Sequence, residues 1–308
     1  MKALLTSCLL ILPLWGADFP WSSQVPADIA AASLHQDTVL DEIPCNWRPQ
    51  LTPIVEPLVK DCTTAREAVL RIAAELSRVT GVYYSTERRK HNMNALEALA
   101  EKKVSCTGQS ILLVCALRSV GIPARAVGVF TWNHIRGNHT WAEAWFDGAW
   151  HMIEFNERDF NTPWVLDNIG MLDSTHPAQR IKAATPHGNA HWAPPSPLFT
   201  PLPAEDVTER YRDLALRWYQ QNGQDANTQR LLLDISPRTS TGYIAELLDA
   251  AGKTIDSAKL PTTADDMRYL ARLSLPRQGQ FTLRIKGYTK RFPVSASDSA
   301  VQILQIAY

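Results

Sequence analysis

The sequence predicts an α+β protein in two parts, a helix-and-hairpin core followed by a small C-terminal β-sandwich. Three observations carry this expectation. Residues 105–121 read as one almost wholly apolar helix with clear start and stop signals. Residues 138–155 read as a β-hairpin turning at Asp147-Gly148. From Arg230 onward the chain breaks into short alternating runs separated by turn residues.

Taken in order, the chain opens with Lys2, an apolar run over 3–15 and the small residues Gly16-Ala17, which together look like an export signal over 1–17. The run falls short of the roughly 20 residues a bilayer span needs, so no integral membrane span is expected. It also continues past Cys8, which disfavours a lipoprotein acceptor there. The expected location is periplasmic or secreted. A polar, loop-like stretch follows to about Pro57. Residues 64–79 carry Ala68, Leu70, Ile72, Leu76 and Val79 at near-helical spacing, and 94–103 suggest another helix. Residues 156–203, rich in Pro, Asn, His and Thr, read as long loops, and 206–221 as an amphipathic connecting helix. Runs at 231–235, 243–248, 254–260, 269–275, 281–285 and 301–306 predict a sandwich of about seven strands. The expected organisation is a signal peptide at 1–17, a helix-and-hairpin domain at 18–203, a connecting helix and linker at 204–229, and a β-sandwich domain at 230–308.

Composition narrows the function. With 308 residues and 45% apolar side chains, a sizeable core is available. The 31 basic and 31 acidic residues cancel, so no general attraction to nucleic acid is expected. Neither a phosphate-cradling glycine loop nor a dinucleotide fingerprint is present, and no cofactor is expected. His187 and His191 have a zinc-like spacing but lack completing ligands nearby, so no metal is expected either. In an oxidising compartment Cys45 and Cys62 would suit a disulfide, while Cys115 sits among Leu113, Val114, Ala116 and Leu117 as a small buried hydrophobe.

Cys106 differs. Ser105 is a good N-cap and Gly121 a good stop, with Pro123 blocking continuation. Cys106 therefore falls in the first turn of a central helix, where unpaired N–H groups favour thiolate. Gly108 would let another backbone or a substrate come close. If Asp147-Gly148 is the hairpin loop, His139 opposes Asn156, Trp141 opposes Glu154 and Trp145 opposes Trp150. Glu154 then lies diagonal to His139, roughly 7 Å away between backbones, within a glutamate's reach. A thiol, an imidazole and an orienting carboxylate are what acyl transfer requires. Asn156, directly opposite His139, competes with Glu154 for the third place. Glu143, further along the same face, suits a structural ion pair, and Trp141, Trp145 and Trp150 suit core or wall packing.

Cys106-Thr-Gly-Gln-Ser, the run Ala-Leu-Arg-Ser-Val-Gly-Ile-Pro-Ala-Arg125, Asn138-His139-Thr-Trp141-Ala-Glu143 and Trp150 through Glu154 together resemble the transglutaminase-like superfamily over about residues 65–175. The resemblance implies a papain-related core, with the nucleophile's helix packed on an antiparallel sheet bearing base and acid. It assigns Cys106, His139 and Glu154 as nucleophile, base and orienter; the family more often has aspartate at the third place. It also implies a second oxyanion donor upstream of the nucleophile, for which Tyr84 or Asn92 is the candidate beside the Cys106 N–H. Trp132 suits the lining of an acyl pocket and core packing equally. The substrate expected is a protein or peptide amide. Water as acceptor would make a peptidase or amidase, an amine a protein-glutamine acyltransferase. The presence of all three chemical residues weighs against a non-catalytic binding protein on the same fold.

Overall fold

The computed structural model describes residues 19–133, 137–193, 202–222, 227–264, 270–285 and 291–307. The expected export signal over 1–17 lies outside the described residues. The chain forms two compact units: Met1–Gly128, His139–Phe160 and Lys182–Glu205 make the first, and Val129–Asn138, Asn161–Ile181 and Asp206–Tyr308 the second. No helix among the described residues is long and apolar enough to cross a membrane.

The first unit opens with α1 (Ala27–Ser33) and α2 (Arg48–Val59), where the sequence suggested only loop. The prolines misled. Pro49 lies in the first turn, where its missing N–H costs nothing. Pro53 and Pro57 follow at four-residue spacing on the exposed side, so the carbonyls they leave unpaired face water. Leu51, Val55 and Val59 occupy the opposite face and are buried. The helix α3 (Ala65–Thr80) starts at a capping box in which Thr64 accepts the Glu67 N–H and Glu67 reaches back. After β1 (Tyr83–Tyr84), the helix α4 (Ala95–Glu101) is capped the same way by Asn94 and Glu97. The short β2 (Lys103–Val104) pairs parallel with β1 and leads straight into α5 (Cys106–Ser119).

Helix α5 is the axis of this unit. Every residue except Cys106 and Gln109 is buried, including Ile111, Leu112, Leu113, Val114 and Leu117. Each such side chain is worth about 2 kcal/mol when taken from water, which holds the helix far more firmly than its propensity could. Its C-terminal end is tied down by Arg118, which donates from Nε to the Ala124 carbonyl at 3.0 Å and from Nη1 to the Thr38 carbonyl at 2.8 Å. The sheet beside it combines β3 (Ala124–Val129), β4 (His139–Phe146), β5 (Ala149–Ile153), β6 (Lys182–Ala184), β7 (Ala190–His191) and β8 (Pro203–Asp206), in the order β5-β4-β3-β6-β8-β7. The β4–β5 register is the one the sequence implied, with Trp145 opposite Trp150 and Ala142 opposite Ile153. Asp147 and Gly148 both take positive φ, 50° and 74°, as a two-residue turn demands.

In the second unit, α6 (Pro163–Ile169) lies where loop was expected, and α7 (Thr208–Gln221) buries Tyr211, Ala215 and Tyr219 on one face. Among the described residues seven strands follow: β9 (Thr228–Ser236), β10 (Ile244–Leu248), β11 (Thr254–Lys259), β12 (Ala271–Pro276), β13 (Phe281–Ile285), β14 (Arg291–Val294) and β15 (Val301–Ala307). They form a four-stranded sheet, β11-β10-β13-β14, and a three-stranded sheet, β12-β9-β15. Leu231, Leu233, Leu273 and Leu275 of one sheet share a core with Leu247, Leu283 and Ile285 of the other. That is a sandwich. The seventh strand, β14, was hidden by Pro293, which an edge position tolerates.

Candidate active site

Cys106 is the first residue of α5, and its setting follows from the residues around it. The Ser105 hydroxyl accepts the Gly108 N–H at 2.9 Å and donates to the His91 carbonyl at 2.6 Å, fixing the helix start. Gly108 admits close neighbours: a Cβ there would stand 3.0 Å from Val104 Cβ and 3.7 Å from the His91 carbonyl. Two further pins, which the sequence did not reveal, align this turn with β4. The Thr107 and Thr140 hydroxyls share a 3.1 Å hydrogen bond, and Ser110 Oγ lies 2.9 Å from both the Cys106 and the Thr140 carbonyl. All three side chains are buried, and hydroxyls out of water need such partners. They bring the helix start against the strand start, and so Cys106 against His139.

His139 is the first residue of β4 and is 5% exposed. Its Nε2 meets Glu154 Oε1, which leaves Nδ1 for the hydrogen bond with Cys106. Burial pulls the imidazolium down, but the Glu154 carboxylate and then the Cys106 hydrogen bond outweigh it and raise the group from 6.5 to about 9. The Trp141 ring stacks beside the imidazole, centroids 5.8 Å apart at 27°. Beneath the strand, Gly128 leaves room: a Cβ there would come within 2.9 Å of the His139 carbonyl.

Glu154 lies one residue beyond the end of β5. Its Oε2 is buried with no hydrogen-bond partner among the described residues, an arrangement costing about 1–3 kcal/mol and concentrated at functional sites. Glu157 stands near it, and burial, with the Glu154 and Asp159 charges adding to it, pushes the Glu157 carboxyl up.

The other candidates are placed as follows. Asn156 takes a left-handed φ of 66°, gives its N–H to the Ala73 carbonyl at 2.9 Å and is exposed, so the chain has left the strand before it could oppose His139. Tyr84 lies directly beside Val104 in the parallel pair, two residues before Cys106, with its ring half-exposed. Asn92 has its amide committed to Asp41 Oδ1. Trp132 belongs to the second unit, buried against Trp164 with ring centroids 6.2 Å apart, and its Nε1 has no partner among the described residues. Glu143 is fully buried and receives Arg125 Nε at 2.9 Å, an ion pair as expected from its position. Trp141 is core, and Trp150 carries the Arg125 guanidinium 4.1 Å over its ring.

Cys45, Cys62, Cys106 and Cys115 are all free thiols. The Cys45–Cys62 disulfide that export would suit is not formed: Cys45 lies by the first N–H groups of α4, Cys62 by Arg71 and Glu67. Among the described residues no group of three His, Cys, Asp or Glu side chains could hold a metal.

Residues 52–155 match the family model of the transglutaminase-like superfamily. No curated protein matches the chain. Among solved structures, red sea bream transglutaminase is 12% identical over 90% of this chain and 66% of its own, with a TM-score of 0.41. A candidate cysteine protease from Cytophaga hutchinsonii is 16% identical over 58% of this chain and 60% of its own, with a TM-score of 0.37. The chain thus spans less than two thirds of either protein.

Proposed function

We propose, taking as premise that residues 52–155 form a transglutaminase-like domain, that the chain is an exported thiol enzyme that attacks amide carbonyls of proteins or peptides. One observation carries the reading: a buried imidazole, gripped by a carboxylate at one nitrogen, hydrogen-bonds a cysteine at the tip of a helix. Its raised proton affinity favours a thiolate–imidazolium pair, the reactive state of a thiol nucleophile.

In the reaction so read, the Cys106 sulfur adds to the amide carbonyl carbon and the carbonyl π electrons move onto oxygen. The oxyanion faces the Cys106 backbone N–H at the positive end of α5, with Tyr84 on the adjacent strand as the second donor. His139 delivers its proton to the departing nitrogen, the C–N bond breaks, and a thioester remains on Cys106. The neutral imidazole then takes a proton from water, the hydroxide so formed attacks the thioester, and the thiolate leaves as the acid product is released. Glu154 keeps the ring turned and holds the imidazolium through both steps. The choice of water over an amine as acceptor rests on resemblance to family members that act as proteases.

The test is a chromogenic peptide amide offered with and without a primary amine, to wild-type and Cys106→Ala protein. Release of amine product by wild type alone, with the free acid as the other product, is expected. Product formation unaffected by Cys106→Ala would overturn the thiol assignment, and incorporation of the added amine would convert the hydrolase into an acyltransferase.

A further inference from the structure

The 31 basic and 31 acidic residues balance over the whole chain, but not along it. Residues 267–297 contain seven arginines and lysines and neither aspartate nor glutamate. Most of the described cations in this run are occupied. Arg272 meets the buried Asp167 carboxylate, Arg284 Nε lies 2.9 Å from Glu246, and Arg277 donates to the Ser297 and Ser299 carbonyls at 2.9 and 3.2 Å. Arg291, exposed at the start of β14, has no carboxylate partner among the described residues.

Arg291 lines a cavity of about 660 Å³ formed where β10, β13 and β14 meet. Phe281 and Pro293 supply apolar wall, and Thr282 a hydroxyl. The volume falls in the range of small-molecule sites. Asp249 also lines it, but its Oδ1 is held in the β10–β11 turn by the Ala251 and Lys253 N–H groups, each at 2.9 Å. The chemistry selects a ligand class. A guanidinium without a carboxylate partner favours a planar or tetrahedral oxyanion. The apolar wall favours a carbon body attached to it. The Asp249 charge disfavours a polyanion, so a single anionic group fits best.

We propose that this cavity in the sandwich binds a small ligand bearing one carboxylate or phosphate at Arg291, with an apolar body against Phe281 and Pro293. It is a site separate from the thiol chemistry, and its test does not depend on turnover. The full chain is titrated calorimetrically with N-acetyl-leucine, N-acetyl-leucinamide and inorganic phosphate. A saturable isotherm with Kd near or below about 1 mM is expected for at least one anion, and binding at least about tenfold weaker for the amide. Comparing the two anions identifies the carboxylate or phosphate source. Arg291→Gln, which removes an exposed charge and folds normally by circular dichroism, weakens binding by about tenfold or more, whereas Lys253→Gln, exposed and outside the cavity, changes it less than about twofold. Cys106→Ala leaves the isotherm unchanged. Absence of saturable binding of either anion, equal binding of acid and amide, or equal weakening by Arg291→Gln and Lys253→Gln would each overturn the proposal.

Discussion

Replacing Glu154 by glutamine removes a charge while keeping an oxygen able to accept the His139 Nε2–H. The rise of His139 from 6.5 to about 9 corresponds to roughly 3 kcal/mol of preference for the imidazolium, at about 1.4 kcal/mol per tenfold. Among the influences that raise it, the Glu154 charge is the largest, and burial opposes them. With that charge gone burial gains the upper hand, and the group returns toward or below its ordinary range. The imidazolium then no longer holds a thiolate at neutral pH. Alkylation of Cys106 by iodoacetamide is the direct assay. In wild type the rate should be nearly level across neutral pH, because the ion pair persists until His139 titrates near 9. In Glu154→Gln it should climb only as an ordinary thiol ionises, around pH 8.5 or so. Turnover at neutral pH should fall on the order of 100-fold, the equivalent of about 2.7 kcal/mol in the barrier. Superimposable alkylation profiles for the two proteins, with turnover within about twofold, would refute the role given to Glu154.

Other outcomes follow from the same geometry. Arg125→Met removes the guanidinium paired with the fully buried Glu143 carboxylate, and should cost about 3–5 kcal/mol in urea unfolding, with Arg125→Met/Glu143→Leu recovering most of it. Ser110→Ala removes the hydroxyl shared by the Cys106 and Thr140 carbonyls; it should cost about 1 kcal/mol of stability and lower kcat with KM little changed. His139 binds its proton more tightly folded than unfolded, so its contribution to stability is complete below pH 6.5 and disappears as pH rises through about 9. Stability should therefore fall across that window with a slope up to about 1.4 kcal/mol per pH unit, and His139→Ala should flatten it in denaturant titrations at successive pH values.

How much of this molecule the sequence discloses depends on how far apart the interacting residues are. The Asp147-Gly148 hairpin was legible because only residues tolerant of positive φ close a two-residue turn, and its register then places Glu154 within reach of His139 by arithmetic alone. The limits of α5 were legible for the same kind of reason: a cap, an apolar run and a glycine all fall within 17 residues, 105–121. Helix α2 was not, because its prolines argue against a helix until one knows which face meets water. The Thr107–Thr140 and Ser110–Thr140 pins join elements 33 and 30 residues apart, and a buried threonine has no local signature that names its partner. Assignment of residues 129–138 and 161–181 to the second unit is equally non-local.

The three residues proposed for the chemistry share a position in the fold that explains why the sequence points to them. Cys106 begins α5, His139 begins β4 and Glu154 follows the last residue of β5. Ends of elements are where a regular ladder stops, so backbone donors are left for a ligand and a side chain can turn out of the packed layer. They are also where the sequence carries its punctuation, in caps, glycines and turn pairs. A site assembled from element ends is thus written in the part of the sequence that is easiest to parse, whereas the pins that align those ends lie inside the elements. Substitutions at Thr107, Ser110 or Thr140 should therefore degrade the same chemistry while leaving every recognisable motif intact.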